Sequence, residues 1–200
     1  NGKAMHIKGF LTRFSKTAKT QAEFLNRVAK LNVPLVGVDS AIVLSYRDEY
    51  KEALGDSRGD FHVLTAHEWL TNQLESNTLQ SAVKNIAKSD RTFEWHLFPH
   101  CAESTFMPNS PKEWQHIFTQ FGQTLKVEKV GCCGMAGVFG HEVQNQTMSK
   151  DIYNVSWGKK LQGKDPNYCL ATGYSCRSQV KRYEKAILKH PIQALLEILD

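Results

Sequence analysis

Two cysteines stand side by side between glycines in Gly131-Cys132-Cys133-Gly134, directly after the strand-like run 125–130. No other stretch restricts the fold as much. Neighbouring cysteines make a poor disulfide, because their sulfurs point apart, but one turn can present both as thiolates. The flanking glycines allow positive φ and a close approach of the backbone to whatever the sulfurs hold. Two further groups stand in the same relation to a strand. Pro99-His100-Cys101 closes the run 93–98, and Gly173-Tyr174-Ser175-Cys176-Arg177 follows the run 168–172. A fold that gathers these groups needs its strands to point the same way.

The rest of the chain supports such a fold. Phe10, Phe14, Ala18, Ala22, Leu25 and Ala29 recur every three or four residues and predict a helix over 8–31, stopped by Asn32. A short buried strand is expected at 35–38. Asp39-Ser40 then caps a helix through Ile42, Tyr46 and Tyr50 to Gly55. A strand at 61–64 and helices at 66–74 and 79–87 follow. Ser110-Pro111-Lys112-Glu113 has capping-box spacing with proline at the first helical position. The helix it opens buries Trp114, Ile117, Phe118 and Phe121 and ends at Gly122. Helices are further expected over 146–161, from Cys176 through Val180, Tyr183 and Ile187, and from Pro191 through Leu195, Leu196 and Ile198. Alternating strands and helices predict an α/β fold, a mostly parallel sheet flanked by helices. The cysteine motifs then fall at the C-terminal ends of strands, where ligands bind in such folds. Cys169 differs, because it sits inside the apolar run 168–171 and reads as a core thiol. The whole of 1–200 reads as one α/β domain.

The chain opens on Asn1-Gly2-Lys3-Ala4 without an initiator methionine, so a longer protein with an upstream part is expected. No run approaches the ~20 apolar residues of a membrane span, and a secretory signal is lacking. Cytoplasmic thiols are therefore expected, serving metal, redox or core roles. The net charge of +5 is scattered among acidic residues and reads as solvated surface, not as a nucleic-acid groove. There is no Gly-x-Gly-x-x-Gly order, so no dinucleotide fingerprint is present. Gly55-Asp56-Ser57-Arg58-Gly59 has Gly-x-Ser-x-Gly spacing, but it reads as a loop after a helix and not as a hydrolase elbow, which needs a strand before it.

The three cysteine groups, in this order, resemble the cysteine-rich CCG domain. That domain occurs in heterodisulfide reductase, in the iron–sulfur subunit of anaerobic glycerol-3-phosphate dehydrogenase, in lactate-utilisation proteins and at the C-terminus of large FAD-linked dehydrogenases. Thirty residues separate Cys101 from Cys132, and forty-two separate Cys133 from Cys176. Val38-Asp39-Ser40-Ala41, Tyr46-Arg47-Asp48-Glu49-Tyr50, Cys132-Cys133-Gly134-Met135-Ala136-Gly137 and 171–182 are similar to the C-terminal region of bacterial FAD- and iron–sulfur-containing dehydrogenases of the D-lactate/D-2-hydroxyglutarate type. The resemblance implies upstream flavin and ferredoxin-like domains in the same polypeptide, with FAD bound there. It further implies an electron acceptor, a D-2-hydroxy acid as substrate and an iron–sulfur cluster of the 4Fe–4S kind held by this region. An acceptor at the inner membrane would make the location peripheral, and a homo-oligomer is compatible with it. This chain departs from the pattern in three ways. Ser40-Ala41 stands where many relatives have a cysteine, the final Cys-x-x-Cys is reduced to Gly173 and Cys176, and the first group is His100-Cys101-Ala102.

Four thiolates remain, Cys101, Cys132, Cys133 and Cys176, enough for one cysteine-ligated cluster. Three cysteines with His100 would make a zinc site, although adjacent cysteines suit a single tetrahedral ion poorly. A metal-free interaction or scaffold module, and thiol–disulfide exchange between Cys132 and Cys176, also stay open. His141 and Glu142, after the turn 137–140, are the candidate acid–base pair. Arg177 beside Cys176 would favour its thiolate. His6, His62, His67, His96, His116 and His190 stand isolated and read as structural or solvated, and Arg47, Asp48 and Glu49 as a solvated face ahead of an inward Tyr50.

Overall fold

Short apolar runs alternate with longer amphipathic ones, and in the computed structural model they become parallel strands and the helices between them. The structure describes residues 1–76, 79, 83 and 92–199. They group into two compact units, Asn1–Ala66 and His67–Asp200. The architecture is α/β, with short, wholly parallel sheets flanked by helices.

In the first unit, α1 (Lys3–Ile7) precedes the long α2 (Leu11–Ala29). Phe14, Ala18 and Ala22 form the buried stripe of α2. They pack with Val43, Tyr50, Phe61 and Val63 in one core. Asn32 takes positive φ just past the helix, as a stop residue should. Phe10 lies ahead of α2 and is exposed, so the apolar stripe begins one turn later than the spacing predicts. Strands β1 (Leu35–Gly37) and β2 (Val63–Thr65) pair in parallel with Val36 opposite Leu64. The expectation of a buried β1 fails. Val36 and Val38 are exposed, because in a two-stranded sheet only the Leu35 and Val63 side of the ladder meets the helical core. Asp39 caps α3 (Ser40–Arg47) through a 3.2 Å bond from the Ile42 N–H. The single helix expected to Gly55 is two, because the chain breaks at Asp48 before α4 (Glu49–Leu54). Tyr50 is fully buried, but Arg47 is no solvated charge. Its Nη2 donates to the Val63 carbonyl at 2.7 Å.

The second unit contains α5 (Ala66–Glu75) from His67 onward, and its sheet has the order β4-β3-β5. Strand β3 (Glu94–Phe98) lies in the middle, with β4 (Thr124–Val127) on one side and β5 (Cys169–Ala171) on the other. Apart from residues 79 and 83, the helix expected over 79–87 lies outside the described residues. Helix α6 (Cys101–Phe106) follows β3, and α7 (Ser110–Gln120) leads into β4. The expected capping box at Ser110 does not form. Asn109 is the cap residue, Ser110 Oγ donates to the buried Glu103 carboxylate, and Glu113 pairs with His67 Nε2 at 3.2 Å. After the cysteine loop, α8 (Gln146–Tyr153) passes through a π-helical turn (Asn154–Gly158) into α9 (Lys159–Leu161). Helix α10 (Tyr174–Glu184) follows β5 and stops before Ile187, which is exposed and not part of the expected apolar face. Helix α11 (Pro191–Leu199) comes last, with Leu195 buried and Leu196 exposed.

Candidate functional site

Three parallel strands bring three loops to one edge of the sheet. Cys101 opens α6 three residues past the end of β3, Cys132 and Cys133 lie in the loop after β4, and Cys176 is in the first turn of α10 after β5. A cross-strand bond locks the first and third loops together, since the His100 N–H donates to Thr172 Oγ1 at 2.9 Å. His100 Nδ1 accepts from the Ala102 N–H at 3.2 Å and so caps α6. That ring nitrogen is taken up by the helix end and is not free for a metal. Gly173 passes against the His100 ring and the Cys176 sulfur, leaving no space for a side chain there.

The cysteine loop is held from both ends. The Gly131 N–H donates to Ser156 Oγ at 2.7 Å, and the Gly131 carbonyl accepts from Trp157 Nε1 at 3.0 Å. The Gly134 carbonyl accepts from Ser149 Oγ at 2.7 Å. Gln179 Nε2 donates to the Cys133 carbonyl at 3.0 Å and to Ser149 Oγ at 2.8 Å. Gly134 itself has φ 83°, and a Cβ there would collide with the Ser149 carbonyl oxygen. A side chain is thus excluded both by conformation and by space. Ser149 and Gln179 are fully buried. The spacing of cysteines does not reveal them, although Gln179 lies one helical turn beyond Cys176 and so on the same side of α10.

All five cysteines are free thiols, and four of them form a chain of contacts. Side-chain hydrogen bonds link Cys101 to Cys132, Cys132 to Cys133, and Cys133 to Cys176. Cys132 is the acceptor at the centre. The bond from Cys101 and then that from Cys133 pull its thiol down to about 2 against the opposing effect of burial, helped by the Gly134 and Ala136 N–H groups. The Gly134 N–H lies 3.3 Å from Cys132 Sγ. Cys101 is pushed the other way, first by its bond to Cys132 and then by burial. Cys133 is pushed up by its bonds to Cys132 and Cys176 and by burial. Cys169, fully buried in β5, is raised to about 11 by burial.

The donor set suits an iron–sulfur cluster in kind, since it is made of thiols from separate loops. A lone ion fits less well. Among the described residues, no group of three or more His, Cys, Asp or Glu side chains is disposed to hold a single metal ion. The sulfurs are hydrogen-bonded to one another, Cys101 to Cys132, Cys132 to Cys133 and Cys133 to Cys176.

The other candidates are engaged elsewhere. The Glu142 carboxylate accepts from Asn145 Nδ2 at 2.7 Å and from Gln144 Nε2 at 3.3 Å, which ties together its own turn, and His141 is exposed. Arg177 Nη1 donates to the carbonyls of Ala171 at 2.6 Å and Thr172 at 3.2 Å, closing the end of β5. Ser40 lies in the first unit, buried, with its hydroxyl unpartnered.

The chain is 78% identical, over 199 residues, to the D-2-hydroxyglutarate dehydrogenase of Haemophilus influenzae, a match that covers all of this chain and 19% of that protein. It is 55% identical to the D-2-hydroxyglutarate dehydrogenase of Escherichia coli over 199 residues, again 19% of that protein. A more distant similarity, 24% over 208 residues, links 99% of the chain to 49% of one subunit of the anaerobic glycerol-3-phosphate dehydrogenase of Escherichia coli. The chain therefore spans about a fifth of the length of the D-2-hydroxyglutarate dehydrogenases it matches. No family model matches the chain, and no solved structure matches it. Among the described residues, no helix is long and apolar enough to cross a membrane.

Proposed function

We propose that this chain is the cysteine-rich, CCG-type segment of an FAD-linked D-2-hydroxy acid dehydrogenase, and that D-2-hydroxyglutarate is the substrate of the whole protein. The observation that carries the reading is the unbroken run of contacts joining Cys101, Cys132, Cys133 and Cys176 at the ends of three parallel strands. In this reading the four thiols hold an iron–sulfur cluster, which would supply one-electron transfer between a flavin elsewhere in the polypeptide and an external acceptor. The chain's own residues supply the position. His100 and Thr172 tie two strand ends together, and Ser149 and Gln179 fix the carbonyls of the double-cysteine loop. Hydride chemistry belongs to the flavin part and to no residue of this chain.

The reading is tested by Cys132→Ser and Cys176→Ser in the full-length polypeptide. Reduction of the flavin by D-2-hydroxyglutarate should proceed unchanged, while reoxidation by the acceptor slows. Unchanged turnover with every acceptor would contradict the relay. One observation favours a second reading, a metal-free scaffold: the thiols already satisfy one another. Under that reading the same variants alter stability and leave flavin reoxidation intact.

A further inference from the structure

We propose that, when no metal is bound, Cys101 and Cys132 are a redox-active pair that closes to a disulfide in hydrogen peroxide. This inference does not depend on the cluster. It follows from which thiols touch and which of them water reaches.

Three contacts run through the site, and they are not equivalent. Cys132 and Cys133 are neighbours in sequence, the arrangement least suited to an S–S bond. Cys133 and Cys176 touch but are buried, at 2% and 1% exposure, where an oxidant does not reach them. Cys101 and Cys132 are both part-exposed and hydrogen-bonded to each other, from loops after different strands. The Gly134 N–H, 3.3 Å from Cys132 Sγ, holds that sulfur in place. Cys169 is fully buried in a strand. Geometry and access therefore select one pair of five thiols. It is not the Cys132–Cys176 pair that the sequence leaves open.

The chemistry balances with peroxide as the oxidant. The Cys132 sulfur attacks one peroxide oxygen, the O–O bond breaks, and a sulfenic acid forms with release of water. The Cys101 sulfur then attacks that sulfur, the S–O bond breaks, and a second water leaves with the remaining thiol proton. Two electrons pass from the two thiols to peroxide. The cross-link ties the end of β3 to the loop after β4 and removes two of the four sulfurs from any metal.

The test uses the full-length polypeptide, stripped of iron under reducing anaerobic conditions and then treated with hydrogen peroxide. Peptides are mapped by mass spectrometry without reduction. The expected result is one cross-linked species joining the peptides of Cys101 and Cys132, lost on reduction, with Cys169 unmodified. In Cys101→Ser, which lacks the resolving thiol, Cys132 should instead accumulate as sulfinic acid. A Cys132–Cys133 or Cys133–Cys176 bond in place of Cys101–Cys132 would overturn the proposal. So would wild-type Cys132 ending as sulfinic acid with no cross-link. If the cross-link forms in a protein that never takes up iron, this inference stands and the cluster reading falls.

Discussion

Each unit sends a parallel strand into a capped helix, and the two ends are built differently. In the first unit β1 runs through Val38 into Asp39, whose carboxylate caps α3 at 3.2 Å, and Ser40 is the first helical residue. In the second unit β3 runs through Pro99 into His100, whose imidazole caps α6 at the same distance, and Cys101 is the first helical residue. The local architecture is shared and the atom presented is not. Beside Cys101 lie two further loops bearing thiols, whereas the hydroxyl of Ser40 is buried without a partner. A strand end therefore supplies only a position. Chemistry needs the right donor and neighbours that converge on it.

Substitutions at both ends probe this contrast. Gly134→Val should have the largest effect. It forces a β-branched residue into positive φ and drives its Cβ into the Ser149 carbonyl, so a loss of about 3–5 kcal/mol in urea unfolding is expected. Gln179→Leu comes next. It strips the partner from the buried Cys133 carbonyl and should cost about 1–3 kcal/mol. A Gln179→Leu protein as stable as wild type would show that the loop is held by other contacts. Ser40→Ala should change stability by no more than about 0.5 kcal/mol, or raise it, because it removes a buried hydroxyl with no partner. Ser40→Cys places a thiol at the first unit's strand end and should leave iron content unchanged. A gain of iron would mean that a strand end alone suffices. The smallest effect concerns Cys169. Burial holds its pKa near 11, so at pH 8 it stays a protonated thiol and should escape alkylation in the folded protein.

Much of this arrangement is legible in the sequence. Runs ending in Pro99-His100-Cys101 and Gly173 mark strand ends, because glycine, proline and capping residues punctuate the chain by local geometry alone, whereas the strand expected over 125–130 stops at Val127, short of Gly131. Asn32, Asp39, Gly122 and Pro191 stop or start helices where their chemistry predicts, for the same reason. What is not legible depends on partners distant in sequence. Glu113 looks like half of a capping box, yet it pairs with His67, forty-six positions back. Arg47 looks solvated until β2 offers it a carbonyl. Val36 and Val38 look like core because periodicity reports apolarity and not how many strands or helices cover it. Gln179 and Ser149 carry no motif of their own. Their role exists only once α8 and α10 meet at the cysteine loop. The role of His100 Nδ1 as a helix cap is likewise not written in the motif.

The decisive experiment compares iron and acid-labile sulfide in the anaerobically prepared full-length polypeptide with those in Cys132→Ser. If the four thiols hold a cluster, the variant loses iron and sulfide together, in equal numbers, while any clusters held outside this chain persist. Identical iron and sulfide in the two proteins would contradict this, and the four thiols would then be a packed element of the fold and nothing more.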